Sequence, residues 1–107
     1  MGSEAAAPPS WEALRVAELA LLERPIQEEF ARYQAEVRRL LDLGLRRRRV
    51  LRDTYRSPRG WFRILVAVEG IDQELEALRE ALLRGSRGMT LMERFDAIRG
   101  LLLDVWM

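Results

Sequence analysis

The chain has 107 residues and a net charge of +1, and it contains no lysine, histidine or cysteine. This length fits one domain with its own apolar core. The missing cysteines exclude disulfides and thiolate metal sites, and the missing histidines remove the most common general base and metal ligand. We therefore expect a non-enzymatic protein without a cofactor or a bound metal.

Residues 1–9 are expected to form a flexible N-terminal tail, and residues 10–107 a single helical-bundle domain. The tail carries no basic region ahead of an apolar run, as a signal peptide would. No stretch of the chain reaches the roughly 18 uncharged apolar residues that span a bilayer. These features predict a cytoplasmic protein without a membrane span.

A short first helix is predicted to follow the capping residue Ser10 and to run to about Glu23. Its apolar residues crowd one side of the helix: Trp11, Leu14, Ala17, Leu21 and Leu22.

A long second helix is predicted from Pro25, whose missing N–H is harmless in a first turn, to about residue 56. Its stripe recurs in steps of four and three: Ile26, Phe30, Tyr33, Val37, Leu40 and Gly44. Gly44 marks either a weak point or a place where another helix passes closely. At about 45 Å this helix would exceed its partners. Either an end projects, or the helix breaks near Gly44, or a second copy of the chain covers the excess.

Residues 57–60 predict a turn, and a third helix is predicted at residues 61–83. Its apolar stripe is Ile64, Val68, Ile71, Leu75, Leu78 and Leu82, and its outer face carries Glu69, Asp72, Glu74, Glu76 and Glu80. Gly85 is predicted to end this helix in a left-handed cap. Thr90 and Glu93 form a predicted capping box for a last helix with the stripe Leu91, Phe95, Ile98, Leu102 and Val105.

These stripes, joined by short loops, predict the fold class. No segment alternates with the period of two that a strand requires. We expect an all-α fold, an antiparallel up-and-down helical bundle of three main helices plus a short N-terminal helix.

The most charged stretch of the chain, residues 38–63, holds ten arginines against two acids, Asp42 and Asp53. Such a stripe attracts an anionic partner, such as a nucleic acid, a membrane surface or an acidic protein face. The alternative is that these arginines pair with acids of the neighbouring helix. The candidate anion- or partner-binding residues are Arg46, Arg47, Arg48, Arg49, Arg52, Arg56, Arg59 and Arg63.

Three segments form a more specific pattern: YRSPRG at residues 55–60, IDQEL at 71–75 and FDAIRGLLLD at 95–104. Together they resemble the YaaR family of bacterial proteins, whose members have an arginine-rich turn, an IDEEL helix and a closing IDEIRGLLLDL helix. The resemblance extends from about Ile26 to Met107. It implies a helical bundle and no known activity, so no catalytic residues are carried over. The signature residues, interpreted as structural, are Asp72, Asp96, Arg99, Gly100 and Asp104.

The three aspartates Asp72, Asp96 and Asp104 each lie beside an apolar stripe. They are either facing carboxylates for a divalent ion or boundary residues that accept hydrogen bonds from a neighbouring helix. Arg99 and Gly100 predict close helix packing at the glycine, with Arg99 reaching Asp72 or a carboxylate of a second chain. The alternative for this pair is a ligand site.

Trp11, Trp106, Met89 and Met92 mark either an exposed docking surface or the closed ends of the bundle. The sequence favours a protein-interaction or adaptor module that self-associates and has an unidentified protein partner. A nucleic-acid-binding module that uses the arginine stripe is the second hypothesis, and steeply salt-dependent binding would distinguish it. An enzyme or small-ligand sensor ranks last, because no nucleophile–base pair, phosphate loop or metal spacing is present.

Overall fold

The computed structural model describes residues 11–50 and 58–106, which form four helices. These are α1 (Glu12–Glu23), α2 (Gln27–Val50), α3 (Pro58–Leu83) and α4 (Met89–Trp106). This part of the chain contains no strand. The predicted all-α fold is therefore confirmed.

Helices α3 and α4 are antiparallel, since Glu74 pairs with Arg94 and the earlier residue Gly70 lies beside the later residue Leu101. The contacts between the helices thus agree with the predicted up-and-down arrangement. Helix α4 has its most extensive contact with α3, and α2 packs against both α1 and α4. The contact between α2 and α3 is narrow. Helix α4 is thus the central element, and α3 is attached to the rest of the bundle mainly through it.

The apolar stripes form one core, as the helical periodicity predicts. All five stripe residues of α4 are buried. The stripe of α2 is buried from Phe30 to Gly44, whereas Ile26 is 39% exposed in the linker before the helix. The largest fully buried side chains are Tyr33, Leu14, Leu21, Leu40, Ile71, Leu75, Leu78, Leu91, Ile98 and Leu102.

The predicted starts of all four helices differ from the structure. Trp11 rather than Ser10, which lies outside the described residues, precedes α1, and its side chain makes no capping hydrogen bond. Pro25 lies in the linker before α2 rather than in its first turn.

The turn predicted at residues 57–60 is wrong for Pro58 and the two residues after it, which already belong to α3. Proline suits this first helical position because its missing N–H has no partner there anyway. Thr90 lies inside α4, and the carbonyl oxygen of Gly88 accepts the first intrahelical hydrogen bond at 3.1 Å, so Thr90 is not the cap.

The predicted cap at Gly85 is confirmed. Gly85 has a φ angle of 81°, in the left-handed region that glycine adopts without a steric penalty. Its N–H donates to the carbonyl of Leu82, and the N–H of Ser86 donates to the carbonyl of Ala81. This pair of bonds is the Schellman arrangement that ends many helices.

Gly44 is a place of close helix packing rather than a break, because α2 continues through it to Val50. A Cβ atom at Gly44 would lie 2.9 Å from Trp106 Nε1 and 3.0 Å from Val105 Cγ1. Only a residue without a side chain lets the end of α4 approach this closely.

The close contacts of α4 also show where α2 and α3 extend beyond its end. Residues 45–50 of α2 continue past Gly44 and therefore past Trp106, the last residue of α4. In α3, Gly70 lies beside Leu101, so the antiparallel register places Leu65 level with Trp106. We call residues 45–50 and 58–66 the hairpin arm, and the rest of the bundle the body. Of the three alternatives for the second helix, the break near Gly44 is wrong, because α2 continues to Val50, and residues 51–56 of that predicted helix lie outside the described residues.

Candidate partner-binding surface on the hairpin arm

Four large apolar side chains on the arm are at least half exposed. Trp61 is 54% exposed, Phe62 67%, Leu65 60% and Val66 50%. At about 100° per residue, these four positions cover one continuous side of α3. The core-facing residues Ile64, Ala67 and Ile71 lie on the other side. We call the four exposed residues the apolar patch.

The patch is exposed because the first turns of α3 are apolar on nearly every side, whereas only the side with Ile64 and Ala67 faces the core. The character of the outer face changes beyond the patch. The later turns of α3 carry exposed acids on the same face, namely Glu69, Asp72, Glu76 and Glu80. An exposed cluster of large apolar side chains bordered by charges is typical of a partner-binding surface.

Arg46 and Arg47 of the predicted basic stripe are engaged within the protein. The Arg46 guanidinium lies 3.0 Å from Asp42 one turn earlier in α2. The Arg47 Nη1 atom donates to the carbonyl of Trp106 at 3.2 Å, and its guanidinium carbon lies 5.6 Å from the centre of the Trp106 ring. The latter contact is a cation–π interaction that attaches the arm to the end of α4.

Four of the other candidate arginines belong to the arm as defined above. Arg59 and Arg63 are exposed on the first two turns of α3. Arg48 and Arg49 belong to the last turn of α2, and Arg52 and Arg56 lie outside the described residues. Arg59 and Arg63 therefore lie on the same turns of α3 as the apolar patch.

The tryptophans at the two chain ends close the bundle rather than form a docking surface. Trp106 Nε1 donates to the carbonyl of Leu40 at 3.1 Å, and the Trp106 ring packs edge-on against Trp11 with 6.4 Å between centres. Both rings are half-buried. By contrast, Met89 is 74% exposed and Met92 49% exposed at the start of α4.

A buried polar cluster in the body was not predicted from the sequence. Glu18 of α1 is 4% exposed, and its carboxylate accepts a hydrogen bond from Arg99 of α4. The Tyr33 hydroxyl and the second Glu18 oxygen are buried without a hydrogen-bond partner. The sequence signal was the spacing of Leu14, Glu18 and Leu21, which places Glu18 on the apolar stripe of α1.

This environment changes the acidity of Tyr33. Burial is the main cause that raises the pKa of its hydroxyl far above the ordinary value of 10.0. The negative charge of Glu18 raises the pKa further, whereas the positive charge of Arg99 lowers it. Tyr33 therefore stays neutral at physiological pH, and its ring lies 5.0 Å from that of Phe95.

The signature residues have structural contacts that differ in part from those predicted. Asp72 accepts a hydrogen bond from Arg38 of α2 at 2.9 Å, as a boundary residue, and not from Arg99. The prediction that Arg99 reaches Asp72 is wrong, because Arg99 faces α1 and pairs with Glu18. Close packing at Gly100 is also wrong within this chain, since a Cβ there would meet nothing within 4 Å.

Asp96 and Asp104 are exposed on α4. Among the described residues, no group of three or more carboxylates is placed to hold a metal ion. Within the same residues, no helix combines the length and the apolar character needed to cross a bilayer.

Comparisons with known proteins place the chain in a family. No curated protein and no solved structure matches it. The family described as "Protein of unknown function (DUF327)" matches residues 10–106, which is nearly the whole chain. The chain therefore belongs to the DUF327 family.

Proposed function

We propose that this chain is a non-enzymatic protein-interaction module of the YaaR type, which self-associates and binds its partner through the apolar patch on the hairpin arm. The observation that carries the proposal is the exposure of Trp61, Phe62, Leu65 and Val66 by half or more on one side of α3. Burial of apolar surface contributes roughly 25 cal/mol per Å², so a partner that covers the patch gains a substantial driving force.

The polar groups of the body support an interaction role over a catalytic one. Several of them pair with one another across helices, as in Glu18 with Arg99, Arg38 with Asp72 and Arg94 with Glu74. These contacts join the helices of the body together. The arm instead turns large apolar side chains outward, which is the arrangement of a binding surface with aromatic anchors.

The experiment that tests the proposal places a photoreactive benzoylphenylalanine at Phe62 of the full chain expressed in cells. We expect protein adducts after irradiation, because a partner-covered position 62 lies within reach of the reactive group. The matched control carries the same group at Leu83, which is 70% exposed at the opposite end of α3. Protein adducts at position 62 that exceed those at position 83 would support the proposal, and equal adducts at both would contradict it.

A second candidate function is nucleic-acid binding by the arm. Exposed Trp61 and Phe62 lie between the exposed arginines Arg59 and Arg63. Aromatic rings that stack on bases, flanked by guanidinium groups that contact phosphates, are the usual elements of single-strand binding. The engagement of Arg46 and Arg47 within the protein makes this candidate the weaker one.

Fluorescence anisotropy of labelled single-stranded DNA and RNA at low and high salt tests the second candidate. If it holds, affinity falls steeply with salt, and the variant with Arg59→Gln and Arg63→Gln binds more weakly. The matched control carries Arg84→Gln and Arg87→Gln in the α3–α4 loop, which changes the net charge equally. Equal loss in both variants, or no binding at low salt, would contradict nucleic-acid binding by the arm.

A further inference from the structure

We infer that the partner of the apolar patch is a second copy of this chain, paired through α3 in an antiparallel, two-fold arrangement. This inference rests on the proposed function and assigns its partner. Two-fold pairs use the same surface of both copies, so the surface must complement itself. The outer face of α3 meets that requirement in its charges as well as in its apolar residues.

Charges of opposite sign border the patch along α3. Arg59 lies at the start of the helix, before the first patch residue, and Glu69 lies in the turn after the last one. Both residues are exposed, and Arg59 also has an interaction within its own chain. No ion pair within residues 11–50 and 58–106 includes Glu69. The patch thus lies between a positive and a negative residue on one helix.

Antiparallel pairing brings these opposite charges together. When two copies of α3 cross with their patches in register, Phe62 of one copy faces Leu65 and Val66 of the other. The same register places Arg59 of one copy opposite Glu69 of the other, and the two-fold axis repeats the contact. Parallel pairing would instead place Arg59 against Arg59 and Glu69 against Glu69, which is repulsive. The charges therefore select one orientation.

The size of the patch indicates a reversible dimer. Each copy contributes two aromatic and two aliphatic side chains, which are half to two-thirds exposed. Covering both patches removes on the order of 1,000 Å² from water, at the low end of specific interfaces. We expect a monomer–dimer equilibrium that depends on protein concentration, rather than a permanent dimer.

Sedimentation velocity of two charge-reversed chains, alone and mixed, tests the inference. Arg59→Glu gives a chain with acids at both positions, and Glu69→Arg gives a chain with arginines at both. Each variant alone should dimerise at least about tenfold more weakly than the natural chain, because both cross-pairs become repulsive. The equal mixture should dimerise again, since both cross-pairs of the mixed dimer join an acid with an arginine.

A variant that is merely misfolded cannot be rescued by mixing with another misfolded chain, so recovery in the mixture reports the interface itself. Glu80→Arg is the matched control for Glu69→Arg, because it makes the same charge change on the outer face of α3 but away from the patch. It should leave dimerisation unchanged. A natural chain that stays monomeric at every concentration, or a mixture no stronger than the two variants, would overturn the inference. If photo-adducts at Phe62 then contain a different protein, the partner-binding role of the patch still stands, and only self-association is overturned.

Discussion

The body and the arm of this molecule differ in the arrangement of their apolar and charged side chains. In the body, apolar stripes face inward and charged residues pair across helices, even where one of them is buried, as Glu18 is with Arg99. In the arm, α2 and α3 extend beyond the end of α4, and the large side chains of the apolar patch face the solvent. The arm exposes four large apolar side chains on one side of a single helix, whereas the exposed large apolar side chains of the body are distributed over α1, the linker before α2, α3 and α4.

This difference separates stability from association. Substitutions in the body should change the free energy of unfolding, because they create cavities or leave buried charges unpaired. Substitutions in the patch should change binding and leave unfolding nearly unaffected, because their side chains are already in water. The following predictions use matched pairs of residues, one in each environment where possible, to test that separation.

The largest contrast is expected between two leucines of the same helix. Leu78→Ala should lower the free energy of unfolding by about 2–5 kcal/mol, because Leu78 is fully buried and leaves a cavity. Leu65→Ala should change it by less than about 0.5 kcal/mol, because Leu65 is 60% exposed. Urea denaturation measures both values at low protein concentration. Equal losses would show that Leu65 is part of the folding core.

The next largest effect on the free energy of unfolding is expected at the buried ion pair of Glu18 and Arg99. Arg99→Met should destabilise the protein by about 3 kcal/mol, since it leaves the Glu18 carboxylate buried without its partner; the partial exposure of Arg99 places this at the low end for such pairs. Replacing both residues, by Glu18→Met with Arg99→Met, should recover most of the loss. The control Arg94→Met breaks a more exposed pair with Glu74 and should cost less than about 1 kcal/mol. A double variant as unstable as Arg99→Met would contradict this account.

Two helical glycines should respond in opposite directions. Gly44→Ala should lower the thermal midpoint, because the added methyl group would lie 2.9 Å from Trp106 Nε1 and overpack the junction of body and arm. Gly100→Ala should raise the free energy of unfolding by about 1 kcal/mol, because alanine favours the helix and meets no atom within 4 Å. Thermal unfolding of both variants decides the point, and stabilisation by Gly44→Ala would refute the close contact.

The smallest effect concerns alkaline pH and Tyr33. The pKa of its hydroxyl is raised in the folded state, so above pH 10 the unfolded chain loses this proton while the folded chain keeps it. Stability is therefore complete below the ordinary pKa of 10.0 and falls as the pH rises above it, by at most about 1.4 kcal/mol per pH unit.

Tyr33→Phe should remove this part of the alkaline loss. It should not destabilise the protein at neutral pH, because the buried hydroxyl has no partner to lose. Urea denaturation at neutral pH and above pH 10 measures both effects. An unchanged alkaline slope in the variant would show that another group causes it.

Much of the body could be predicted from the sequence, since its helices and buried stripes follow local periodicity. The pairing of Arg99 could not, because the pattern shows that Arg99 lies beside the stripe but not whether α1 or α3 faces it. The apolar patch was missed for a related reason. Phe62, Leu65 and Val66 lie off the stripe of α3, and their exposure depends on which side of α3 the other helices leave uncovered. Helix registers are set by tertiary contacts such as Gly70 with Leu101.

The most direct test of this account combines unfolding and sedimentation for one variant that carries Phe62→Gln and Leu65→Gln. The account predicts that association of the natural chain rises with concentration and is lost in the variant, while the free energy of unfolding of the dilute monomer stays the same within about 0.5 kcal/mol. A variant that associates as strongly as the natural chain would contradict a binding role for the patch. A variant that unfolds several kcal/mol more easily would show instead that the patch belongs to the folded core.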